Sequence, residues 1–155
     1  MLQVFDSWAG ELSPHDFNKY SLPYIKQISA KVRQRLAEAS LPDAPMVIFA
    51  KGAWYALEDL TDIGYNVVSL DWTIDPEYAR KVTQDKVVLQ GNMDPSVLYG
   101  GEEAIRETAT RMVHAFGKDG KHIANLGHGI LPTVDPEALK VYLETVQKVS
   151  AEIRK

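Results

Sequence analysis

Asn66-Val67-Val68-Ser69-Leu70-Asp71-Trp72-Thr73-Ile74-Asp75-Pro76 passes from a β-branched apolar run, through a short polar stretch, into Asp-Pro. The run is nearly continuous rather than strictly alternating, which is the pattern of a parallel strand covered on both faces. Asp75 can accept from the free N–H groups of a helix start, and Pro76 supplies a preset first helical residue. The segment therefore reads as strand, loop, helix.

The same order recurs along the chain. Pro45-Met46-Val47-Ile48-Phe49-Ala50, Lys86-Val87-Val88-Leu89-Gln90 and His122-Ile123-Ala124-Asn125-Leu126 are further short apolar runs, and Leu2 to Asp6 makes a fifth strand. Asp94-Pro95 and Asp135-Pro136 mark further helix starts. Apolar stripes at helical spacing run through Tyr24, Ile25, Ile28, Val32 and Leu36 between Pro23 and Ala39. Others run through Ile105, Ala109, Met112, Val113 and Phe116, and through Leu139, Tyr142, Val146, Val149 and Ile153. Alternating strands and helices specify an α/β fold of parallel strands joined by right-handed crossovers, either as an open sheet or as an arc of a barrel. Residues 1–155 form one domain or part of one, without linker, repeat array or low-complexity tract. Because Leu2 to Asp6 is already a strand, the chain is expected to begin inside a larger fold.

Composition narrows the function. A net charge of -4 with no run of Lys or Arg gives no field for a phosphate backbone, so nucleic acid is not an expected partner. No apolar stretch reaches the roughly 20 residues of a membrane span, and Met1 to Phe5 lacks the basic start of a signal peptide. The absence of cysteine removes disulfides, thiolate metal sites and Cys nucleophiles, and fits a reducing compartment, the cytoplasm by default. His15, His114, His122 and His128 show no metal-ligand spacing, so no metal is implied. No glycine-rich phosphate loop follows any strand, and no G-x-S-x-G elbow surrounds Ser7.

In either parallel architecture the binding surface lies beyond the carboxyl ends of the strands. The residues there are Ser7, Lys51, Asp71, Asn92 and His128. His128 is the sharpest candidate, because glycines on both sides let the chain turn tightly and a ligand approach the ring. Ser7 is open to a capping role, and Lys51 to an anionic substrate or an ion pair with Asp71. Asp71 is open to service as a general base or as a bond to a neighbouring loop. Gly91-Asn92-Met93-Asp94-Pro95 reads as a glycine turn leading into an Asp cap.

Five strand ends then agree with one family. Leu126-Gly127-His128-Gly129, Leu89-Gln90-Gly91-Asn92-Met93-Asp94-Pro95 and Gly64 to Thr73 resemble uroporphyrinogen decarboxylase in order and spacing. So do Phe49-Ala50-Lys51-Gly52 and the opening Leu2 to Gly10. The resemblance implies that the chain is the C-terminal part of a TIM (β/α)8 barrel, about five of its eight strands. It implies a carboxy-lyase of haem biosynthesis that removes carbon dioxide from the four acetate side chains of uroporphyrinogen, giving coproporphyrinogen, with no metal or organic cofactor. It makes Ser7 and His128 the catalytic and substrate-binding residues, with Lys51, Asp71 and Asn92 as further rim residues. It also implies a homodimer, and self-association or pairing with an absent N-terminal half. The family's pyrrole-binding aspartate, its tyrosine and the arginines of its R-Q-A-G-R segment have no counterpart in this chain, so the chain alone is expected to be inactive. Two alternatives remain from sequence: a self-contained open-sheet α/β binding module, and a corrinoid or thiol methyltransferase relative, against which the absence of cysteine counts.

Overall fold

The computed structural model describes residues 1–117 and 119–155, which form a single five-stranded sheet in the order β1-β2-β3-β4-β5. The strands are β1 (Leu2–Asp6), β2 (Met46–Ala50), β3 (Val67–Ser69), β4 (Val88–Met93) and β5 (His122–Leu126), and every adjacent pair is parallel. Helices α1 (Pro14–Tyr20) and α2 (Leu22–Glu38) connect β1 to β2. Helices α3 (Leu57–Thr61), α4 (Pro76–Thr83) and α5 (Gly101–Phe116) fill the later crossovers, and α6 (Pro136–Ile153) ends the chain. Strand order that never reverses distinguishes an arc of a barrel from the doubly wound sheet, whose order turns back at a switch point.

Register explains the two faces. Met46, Ile48, Val68, Leu70, Leu89, Met93 and Leu126 join Ile25, Leu57, Ile105, Ala109 and Phe116 in the core between sheet and helices. The alternate positions Val47, Phe49, Val67, Ser69 and Gln90 are buried on the other face. Continuous burial therefore holds for β2 and β3, as their unbroken apolar runs require. The terminal strands differ, since Leu2, Gln3 and Phe5 of β1 and Asn125 of β5 are exposed.

The Asp-Pro signals divide. Asp75 and Asp135 cap α4 and α6 through their side chains as expected. Asp94 caps only a short 3-10 turn, and α5 begins later at Gly101. β4 also continues through Gly91 and Asn92 to Met93, because all of these pair with β5, so the reading of Gly91 as a turn gives way to a longer strand. Among the described residues no helix is long and apolar enough to cross a membrane.

Candidate active site

The strand ends gather on one side of the sheet, where a cavity of about 510 Å³ opens between the free edge of β5 and the inner face. Gln3, Phe5 and Ser7 line it from β1 and its exit, Phe49 and Ser69 from β2 and β3, and Asn125 to Ile130 from the end of β5. Leu139, Tyr142 and Leu143 of α6 close the far wall. Ser7 and His128, the two residues placed highest from sequence, thus line the same cavity, and both side chains are exposed to it.

His128 has a defined orientation. Its Nδ1 accepts from the backbone N–H of Gly129 at 2.7 Å, so in the neutral ring the proton sits on Nε2, which is left to donate. Phe49 meets the ring edge-on at 6.0 Å between centroids and Trp72 does so at 6.4 Å. Gly127 lets the β5 exit come this close, since a Cβ there would lie 2.6 Å from the backbone N of Trp72.

Lys51 does not pair with Asp71. Its ammonium lies 5.7 Å from the centroid of the Trp72 ring, a cation–π contact between the exits of β2 and β3. The Lys51 backbone meanwhile ties β1 to β2, donating to Asp6 O at 3.0 Å and accepting from Gly10 N at 2.7 Å.

Asp71 is buried and fully engaged. One carboxylate oxygen accepts from Gly52 N at 2.6 Å, and the other from the N–H and hydroxyl of Thr73. This is the loop-bonding alternative: both oxygens are bonded to neighbouring turns, and Asp71 does not line the cavity. Asn92 is buried as well, donating to Asp71 O at 2.9 Å and Ile74 O at 2.8 Å, so it supports the rim from beneath.

Sequence reading assigned no role to Phe5, Phe49 or Trp72; Phe49 and Trp72 stand edge-on to the His128 ring, and Phe5 lines the same cavity. Phe5 carried a usable signal, since it stands two residues before Ser7 and so shares its face of the strand. Tyr142 carried none: it sits on an ordinary amphipathic stripe, yet its hydroxyl is buried with no hydrogen-bond partner among the described residues.

The family model described as "Uroporphyrinogen decarboxylase (URO-D)" matches residues 1–149. Relatives named uroporphyrinogen decarboxylase include one from Danio rerio, 49% identical and covering 99% of this chain and 42% of its own length. Another from Schizosaccharomyces pombe is 48% identical over 93% of this chain and 41% of its own length. A third from Homo sapiens is 47% identical over 99% and 41% respectively. The chain therefore spans about 42% of the length of such relatives. Among solved structures, a methyltransferase from Methanosarcina mazei superposes with a TM-score of 0.77 at 18% identity, covering 95% of this chain and 42% of that one, and shares the fold.

Proposed function

This chain belongs to the uroporphyrinogen decarboxylase family, and on that premise we propose that it supplies the C-terminal rim of a barrel that decarboxylates uroporphyrinogen to coproporphyrinogen. The observation that carries the reading is the family match across residues 1–149, whose strand-end strings include both Ser7 and His128 on one cavity.

The chemistry asks little of a cofactor. When a pyrrole is protonated beside its acetate, the ring accepts the electron pair of the breaking C–C bond as carbon dioxide leaves; the exocyclic methylene then takes a proton to become methyl, and the ring gives up the proton it first gained. The protein has to orient the ring, deliver protons and hold the other carboxylates. His128 presents an Nε2–H to a substrate carboxylate, and Ser7 offers a hydroxyl on the facing wall. Phe5 and Phe49 give the cavity an apolar wall beside these groups, a setting in which each polar contact is stronger than in bulk water.

A substrate with eight carboxylates needs several matched cations, and at this rim Lys51 is the ammonium in place. The 155 residues contain no R-Q-A-G-R string. The chain is accordingly one partial domain that does not turn over by itself, works in the cytoplasm, has no nucleic-acid partner and pairs with further family chain or with itself.

The test is anaerobic incubation with uroporphyrinogen and chromatography of the products. Coproporphyrinogen is expected when this chain is combined with the remaining portion of a family member, and much less with His128→Gln. No product from the combined sample would overturn the reading, and product from this chain alone would overturn its incompleteness.

A further inference from the structure

Successive strand exits at the rim are joined by buried side chains that bond to backbone rather than to the cavity. Asp71 is 5% exposed and Asn92 7%. The Asp71 carboxylate joins the turn after β2, through Gly52 N at 2.6 Å, to the turn after β3, through Thr73 N at 2.8 Å. The Asn92 amide joins the turn after β3, at Asp71 O and Ile74 O, to β4. Three donors converge on Asp71, and only a side chain with two acceptor oxygens and no donor satisfies them all.

What this bracket holds is informative. Lys51 immediately precedes Gly52, and Trp72 lies between Asp71 and Thr73, so the bonded atoms flank the residues that carry the ammonium and the indole. Among the described residues no carboxylate forms a salt bridge with Lys51. Its ammonium rests instead over Trp72, whose other neighbour is the His128 ring. A cation held by an aromatic face keeps its full charge for an incoming anion, whereas one held by a carboxylate is already neutralised.

We propose that Asp71 is a positioning residue, whose buried carboxylate fixes the Gly52 and Thr73 turns and thereby holds Lys51, Trp72 and His128 as one carboxylate-receiving array. The ligand class rests on the reading of this rim as a tetrapyrrole site, while the positioning role rests on the bracket alone.

The experiment uses Trp8→Phe with Trp54→Phe, which leaves Trp72 as the sole indole. Iodide, an anionic quencher, is drawn to a cation beside an indole, so it should quench Trp72 emission more than neutral acrylamide does. This excess should be absent in Lys51→Met. In Asp71→Asn, with circular dichroism and a cooperative melt confirming the fold, most of the excess is expected to be lost. Thr73→Val, which removes only the hydroxyl donor, should lose a smaller part. A residue that merely adds stability would lower the melting temperature and leave the excess intact. The proposal is overturned if the reference protein shows no Lys51-dependent excess, or if folded Asp71→Asn keeps all of it. Should Asp71→Asn not fold, an undiminished excess in Thr73→Val overturns it instead. Binding of uroporphyrin, the stable octacarboxylate, is followed in the same samples. An intact bracket-dependent excess without uroporphyrin binding would refute the tetrapyrrole ligand and leave the positioning role standing.

Discussion

The imidazole of His122 lies flat against the ring of Phe116, with centroids 3.9 Å apart and planes 11° from parallel. Its Nε2 is 2.8 Å from the carbonyl of Gly91, so one side chain joins β5 to both α5 and β4. Burial pushes the pKa of His122 below its usual 6.5, the bond to Gly91 opposes that shift, and the Arg80 charge adds to it. The unfolded chain therefore takes up this proton first as pH falls. The stability that neutral His122 contributes is complete above about pH 6.5 and is lost as pH falls toward the depressed folded value, at no more than about 1.4 kcal/mol per pH unit. Urea unfolding at pH 7.5 and 5.5 is expected to show the loss, and His122→Phe to reduce it. An unchanged difference in the variant would place the sensitivity elsewhere.

Asn92→Ala is expected to cost about 3 kcal/mol, because it strips the donors from two carbonyls, Asp71 O and Ile74 O, in a buried setting. Asn92→Asp should be worse, since it turns a charge toward the same oxygens. Chemical denaturation measures both. A loss within error of zero would mean that the turn after β3 finds other donors.

The two glycines flanking His128 should behave oppositely. A methyl at Gly127 would meet Trp72 N at 2.6 Å and Asp71 C at 3.1 Å, both backbone, while one at Gly129 meets nothing within 4 Å. Gly127→Ala is expected to destabilise by about 1–3 kcal/mol, and Gly129→Ala to be nearly neutral. Equal shifts in melting temperature would contradict the close approach of the β5 exit to Trp72.

These contrasts mark where the sequence was readable. The apolar runs of β2 and β5 located their strands because hydrophobicity and length there had one explanation, and strand-end placement then brought Ser7 and His128 to one cavity. β4 was read short because Gly91 looks like a turn residue; its place in the ladder depends on pairing with β5, which no local pattern records. Asp71 and Asn92 were found as strand-end residues; a bond to a neighbouring loop was one of the two roles open to Asp71, whereas the bonds of the Asn92 amide were not foreseen. Whether a carboxylate faces a cavity or accepts from Gly52 and Thr73 is decided by how neighbouring turns pack, and that packing is tertiary. The Lys51 contact with Trp72 was hidden for the same reason, since the two side chains come from different strand exits.

The open margins of the sheet give the last prediction. β1 pairs only with β2, and β5 only with β4, so each end strand has one side with no strand beside it among the described residues. Phe5 on β1 is 65% exposed, and the cavity along β5 is walled by Leu126, Leu139 and Leu143. Unpaired backbone beside apolar surface favours added strands. The Tyr142 hydroxyl, buried in that cavity wall with no partner among the described residues, would gain one from a strand laid against β5. Sedimentation at several concentrations is expected to show self-association, weakened by Phe5→Lys, which places a charge on the β1 margin. Tyr142→Phe should separate the two effects: removing an unsatisfied hydroxyl raises the stability of the dissociated chain by about 1 kcal/mol, yet it weakens association by taking away a bond formed only there. A concentration-independent monomer would show that both margins are already protected, and an association that strengthens in Tyr142→Phe would show that the added strand lies elsewhere.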